Sequence, residues 1–110
     1  MLHRMGLQDK WFDAIANGSK CIELRLFDEK RQKIKIGDTI EFTNKKGDTI
    51  QLKVRGLLRY DNFASLLSDF PTSMVAWFGM DVQEMLDIME QFYPKEMQKK
   101  FGVIGIRLDK

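Results

Sequence analysis

The stretch GSKCIELRLFDEKRQKIKIGDTIEF, residues 18–42, decides how the rest of the chain is read. Within it, residues 21–27 alternate with period two. Ile22, Leu24 and Leu26 fall on one face of an extended segment, and Cys21, Glu23, Arg25 and Phe27 fall on the other. The apolar face is the packed one, so a strand is predicted whose opposite face carries Glu23 and Arg25 two residues apart, with Lys20 at its entrance. After the charged connection DEKRQK, residues 28–33, Gly37 and Asp38 mark a tight turn before a second strand whose Ile40 and Phe42 point inward.

Upstream, LQDKWFDAIA (residues 7–16) sets Leu7, Trp11 and Ile15 on one helical stripe with Phe12 beside it, and Asn17 and Gly18 supply the stop. Downstream, NKKGD (44–48) joins the second strand to TIQLKVRGLL (49–58) as a hairpin. In that third strand Ile50, Leu52 and Val54 alternate with Gln51, Lys53 and Arg55, giving a basic outer face. From Tyr60 the pattern turns helical: NFASLL behind Asn62, then DVQEMLDIMEQFY (81–93). This longer helix has Asp81 as cap, Glu84 as its capping-box partner, and an apolar side of Val82, Met85, Leu86, Met89, Phe92 and Tyr93. Pro94 stops it. FGVIGIRL (101–108) reads as a closing strand in which Gly102 and Gly105 permit bends or close approaches. The expected architecture is α+β: a small curled sheet or β-barrel of five to six mostly antiparallel strands with flanking helices, in one domain over residues 1–110.

With 110 residues, 44% hydrophobic composition and 12 aromatic residues, the chain can fill one core. No run approaches the roughly 18 apolar residues of a membrane span, and MLHRMGLQDK lacks the apolar stretch of a secretory signal, so no membrane partner and a cytoplasmic location are expected. A single cysteine, Cys21, excludes an internal disulfide, and with one histidine, His3, it offers no cluster for a zinc site. Neither a metal nor a cofactor is expected. The formal charge of +2 conceals an asymmetry, since residues 1–60 hold 13 Lys/Arg against 8 Asp/Glu, and residues 61–110 hold 5 against 8. A basic half of this kind is the footprint of an anionic partner, nucleic acid first, or else a solvated lysine surface.

Three groups could carry chemistry. Lys20, Glu23 and Arg25 form an ion-pair cluster if their face is enclosed, because opposite charges lower one another's burial cost. On an open sheet the same residues would be a surface ion pair worth only ~0.2–1 kcal/mol, and charge pairs on strands are common. A lysine at such a site binds phosphate when protonated and acts as base or nucleophile when neutral. Trp11 and Phe12 could stack on a base or fill the core, and Trp77, in SMVAWFGM, could close over a groove or pack in place. Cys21 beside Lys20 is a nucleophile candidate without a nearby histidine to serve as its base. Met85 and Met89 are core fillers or part of a protein-docking face, which would show itself as an exposed apolar patch.

Taken in order, WFxxIxNGSKCIELRL, IGDTIEF, VRGLLRYDNFASLL and GVIGIRL resemble the ASCH domain, a family related to the PUA RNA-binding fold. The resemblance covers nearly the whole chain. Its most specific element is the G-x-K-x-x-E-x-R pattern, here Gly18, Lys20, Glu23 and Arg25. It implies a PUA-like β-barrel with flanking helices and a cleft into which Lys20, Glu23 and Arg25 point to contact RNA or a modified nucleoside. The expected ligand-binding set is these three residues with Cys21 and Trp11, in a monomer or weak homodimer. One branch of the family hydrolyses the acetyl amide of N4-acetylcytidine with a lysine, a threonine and a later glutamate. Lys20 matches the lysine, but Glu23 stands where that branch has threonine. The later glutamate aligns near Phe78 and Gly79, where the nearest carboxylate is Asp81. The enzyme alternative is a small hydrolase acting on an N4-acylated cytidine, or a ribonuclease acting on RNA itself, built on Lys20 and Glu23. As an amidase the chain would use Lys20 as base or nucleophile, Glu23 as proton carrier and Arg25 to hold the base or the oxyanion.

Overall fold

The computed structural model describes residues 1–70 and 81–109; Trp77, Phe78 and Gly79 lie outside them. In chain order the elements are β1 (Leu2–Gly6), α1 (Asp9–Ala16), β2 (Ile22–Leu26), α2 (Glu29–Gln32), β3 (Thr39–Thr43), β4 (Thr49–Tyr60), α3 (Phe63–Asp69), α4 (Val82–Phe92), α5 (Lys95–Phe101) and β5 (Val103–Asp109). The strands form one curled sheet in the order β1-β3-β4-β5-β2, antiparallel except for the parallel pair β1 and β3. This is the expected α+β half-barrel with flanking helices.

Each face of the sheet builds a core. On the inner face Met5, Ile40, Phe42, Leu52, Val54, Ile104 and Ile106 pack with Phe12 and Ile15 of α1. On the outer face Ile22, Leu24, Leu26 and Val103 pack under Phe63, Leu66 and Leu67 of α3 and Met85 and Met89 of α4. The alternation in β2 therefore does what a period of two requires. Leu24 lies opposite Gly105 and turns to the helices, while Glu23 lies opposite Ile106 and Arg25 opposite Ile104, facing the inner core. Gly105 has a packing reason: a Cβ there would meet Ile22 at 3.1 Å and Leu66 at 3.2 Å, so only glycine lets α3 sit directly on the strand.

The helix starts follow their caps. Asn62 accepts from the Ser65 N–H, and Asp81 and Glu84 form a reciprocal capping box. Several elements differ from the sequence reading. β1 was not predicted, because five residues with only His3 and Met5 turned inward give a weak signal. His3 is satisfied by a 2.8 Å contact to Asp38, whose carboxyl is held down to about 2 by that bond and by the Lys35 backbone N–H. The charged connection after β2 contains the single turn α2, capped by Asp28, and α5 follows directly on Pro94. On α4 only part of the expected apolar side is covered: Met85 and Met89 are buried core residues, whereas Val82 and Phe92 are exposed, Phe92 by 54%.

Among the described residues the sheet does not close by strand pairing, and β1 and β2 are its two edges. Arg25 Nη2 of β2 donates to the Gly6 carbonyl at 2.8 Å, and Lys30 Nζ of α2 donates to the Arg4 carbonyl at 2.6 Å.

Candidate functional site

Lys20 is set by the end of α1. Gly18, at φ 84, turns the chain, and the Lys20 backbone N–H donates to the Ala14 carbonyl at 3.0 Å, which delivers the side chain to the mouth of β2. Three residues on, Glu23 projects from the inner face of β2 in a region the curl of the sheet shuts off from water. Lys20 and Glu23 are each 4% exposed. Lys20 Nζ lies 3.3 Å from Glu23 Oε1, and Arg25 grips Glu23 Oε2 with Nη2 at 2.9 Å and Nε at 3.0 Å. Oε1 also accepts the Leu24 N–H at 3.2 Å. Both carboxylate oxygens are thus engaged.

The triad holds two cations and one anion, and this imbalance governs its protonation. Burial works to raise the Glu23 carboxyl, but Lys20 and Arg25 together outweigh it and hold the group below the usual carboxylate value. Burial likewise opposes the Arg25 charge, and Glu23 more than compensates, so the guanidinium is held above its ordinary value. For Lys20 burial prevails over the attraction of Glu23, and its proton affinity falls below that of an ordinary lysine. The asymmetry follows from sharing: Glu23 gives its shorter contacts to a guanidinium that cannot deprotonate, leaving Lys20 as the group able to give up the excess charge.

These side chains floor a cavity of about 190 Å³. Its walls are Gly6, Leu7, Gln8 and Trp11 on one side and Ile88, Met89 and Phe92 of α4 with Tyr93 just past its end on the other. The Trp11 ring lies 5.5 Å from Lys20 Nζ, close enough for a cation–π contact. The volume falls below the roughly 300–1,000 Å³ of ordinary ligand pockets, so it accommodates a single ring or acyl group and leaves the remainder of any larger ligand outside. Burial raises the phenol of Tyr93, which stays a neutral hydrogen-bonding group.

Of the sequence-predicted residues, the fold brings Lys20, Glu23, Arg25 and Trp11 to one cavity. It does not bring Cys21 there. The Cys21 carbonyl accepts the Leu108 N–H at 2.9 Å, but Cys21 is absent from the cavity lining, and half-buried it packs against the outer core. Phe12 is buried in the inner core. The α4 wall was missed. Phe92 and Tyr93 continue the apolar stripe of that helix, and nothing in the spacing separates a residue at a cavity mouth from one in a core.

The ASCH domain family model matches residues 5–110. Among solved structures, the hypothetical protein PH0355 is 37% identical over 99% of this chain and 98% of its own, with a TM-score of 0.90. Protein PF0455 from Pyrococcus furiosus is 32% identical over 99% of this chain and 96% of its own, with a TM-score of 0.80. The ASCH protein of Zymomonas mobilis shares the fold at 12% identity and a TM-score of 0.66, over 99% of this chain and 67% of its own. No curated protein matches the chain. Among the described residues no helix is long and apolar enough to cross a membrane.

Proposed function

Since the chain belongs to the ASCH domain family, we propose that its cavity binds one unpaired or modified base of RNA, or the corresponding nucleoside. The observation that carries this reading is the juxtaposition of a Lys20–Glu23–Arg25 floor, its lysine and carboxylate buried, with aromatic walls of Trp11, Phe92 and Tyr93. The aromatic groups suit the faces of a base, a contact worth about 1–3 kcal/mol. The excess cation on the floor suits an electron-rich edge such as a ring carbonyl or an acyl oxygen. A titration of the protein with cytidine and N4-acetylcytidine, followed by amide chemical shifts, tests it. The expected result is saturable shifts at residues 20–25 and along α4, abolished in Lys20→Ala and weakened about tenfold or more in Trp11→Ala. Absence of saturable binding by the wild type defeats the reading.

One observation favours a second reading, a small amidohydrolase acting on an N4-acylated cytidine. Lys20 is pushed toward the neutral amine, the form that accepts a proton. In that reaction Lys20 takes a proton from water as the water oxygen attacks the acyl carbon, and Arg25 faces the developing oxyanion. The ammonium then returns the proton to the departing exocyclic nitrogen, breaking the carbon–nitrogen bond and releasing carboxylic acid and cytidine. Glu23 is held ionised and serves to orient Lys20 rather than to carry the proton. Chromatographic detection of cytidine released from N4-acetylcytidine above a Lys20→Ala control is the expected result, and equal release by both proteins removes this reading.

A further inference from the structure

On the far side of α4 runs a broader groove of about 1060 Å³, between that helix, α5 and the end of β4. The two hollows are separate: α4 gives Ile88, Met89 and Phe92 to the cavity, and Gln83, Leu86 and Glu90 to the groove. The groove gathers cations that are far apart in sequence. Arg59 comes from β4, and Lys95, Lys99 and Lys100 come from α5. Three of the five basic residues in the carboxy-terminal half therefore line one hollow, although that half is acidic overall.

Lys95 is tied to Glu90 at 3.6 Å, but Arg59, Lys99 and Lys100 form no ion pair among the described residues. Asp61 and Glu90 are the acidic lining groups, so the lining keeps a net positive charge. Two of the cations stand on aromatic rings: the Arg59 guanidinium lies 4.0 Å from the Phe27 ring centroid, and Lys100 Nζ lies 5.2 Å from that of Phe101. A guanidinium over a phenyl ring offers a flat cationic platform, and the exposed lysines lining the same groove offer point charges. Together they match a ligand that alternates planar rings with negative charges along a flexible chain. At about 1060 Å³ the groove is larger than most small-molecule pockets, and its concavity disfavours a flat lipid surface.

We propose that this groove is a second binding surface, which holds the backbone of single-stranded RNA through Arg59, Lys99 and Lys100. It shares a ligand class with the cavity reading but does not depend on it, and the two can fail separately. The test is fluorescence anisotropy of a labelled oligouridylate of about ten nucleotides, a length that spans a typical single-strand site, across a range of salt concentrations. It compares wild type, the triple variant Arg59→Glu/Lys99→Glu/Lys100→Glu, a triple glutamine variant as control for folding, and Lys20→Ala. All three groove positions are exposed, and circular dichroism checks that each variant is folded. Charge reversal is expected to weaken binding by about tenfold or more and to make the slope of log affinity against log salt shallower by about 2, since three phosphate contacts are lost. The glutamine variant shows the same slope change with a smaller loss, and cytidine titration of the cavity is unaltered in both. An oligouridylate affinity and salt slope unchanged in both triple variants overturn the groove while leaving the cavity reading intact. No binding by the wild type overturns it as well, as does equal affinity for phosphatidylserine vesicles lost in the same variants. Groove-dependent RNA binding without any cytidine response sinks the cavity reading alone.

Discussion

The cavity and the groove use positive charge in opposite ways. In the cavity a buried lysine and a half-buried arginine are held against a single buried carboxylate, so that each group depends on the others and the proton affinity of Lys20 is lowered. In the groove the cations stand in solvent, keep their hydration and contribute to stability very little individually. The first arrangement has one geometry and can discriminate. The second tolerates substitution and attracts at a distance, with an effect that salt screens.

The largest contrast is expected on removing the anion. Glu23→Leu leaves the buried Lys20 beside a half-buried Arg25 with no carboxylate between them and should destabilise the protein by about 3–5 kcal/mol in urea denaturation, with part of the loss recovered in the double variant with Lys20→Met. A loss below about 1 kcal/mol would mean that water reaches the triad and that cavity and groove do not differ in kind.

A pH series separates them next. The folded protein holds Lys20 below its ordinary 10.5, so between the native value and 10.5 the unfolded chain binds more protons than the folded one. Stability should therefore climb as pH rises through the native value toward 10.5. Lys20→Met, which keeps Glu23 paired with Arg25, should remove this climb and stabilise the protein by roughly 1 kcal/mol near neutrality. A climb of equal size in the variant would assign it to other groups.

The smallest effect belongs to the groove's own ion pair. Lys95 and Glu90 meet at 3.6 Å with the lysine 82% exposed, and Lys95→Ala should change thermal stability by less than about 1 kcal/mol. A larger change would show that α5 is tied to α4 more firmly than a surface pair allows.

Much of this is legible in the sequence. The period-two alternation of β2 and β4, the Asn62 cap and the Asp81–Glu84 box are local signals, and each is realised where it was read. The charged face of β2 was legible too, because Lys20, Glu23 and Arg25 lie within six residues and their convergence needs only a strand and its curl. What escaped was whatever required long-range placement. β1 gains its place by pairing with β3, 37 residues on from Leu2 to Thr39, and no local pattern announces that. The role of Phe92 depends on which part of the α4 stripe the sheet covers. The groove is hidden more thoroughly, since it unites Arg59 with lysines some 40 residues later, and a half-by-half charge count averages them away.

The unpaired seam between β1 and β2 has a consequence for how the protein meets other copies of itself. The carbonyls of Arg4 and Gly6 would ordinarily be an open invitation to a visiting strand, but Arg25 and Lys30 already fill them with charged tips. The same guanidinium that steadies Glu23 therefore stands guard over an otherwise adhesive border. Losing it would unsettle the pocket and, at the same stroke, license the sheet to grow by a strand from a neighbouring molecule.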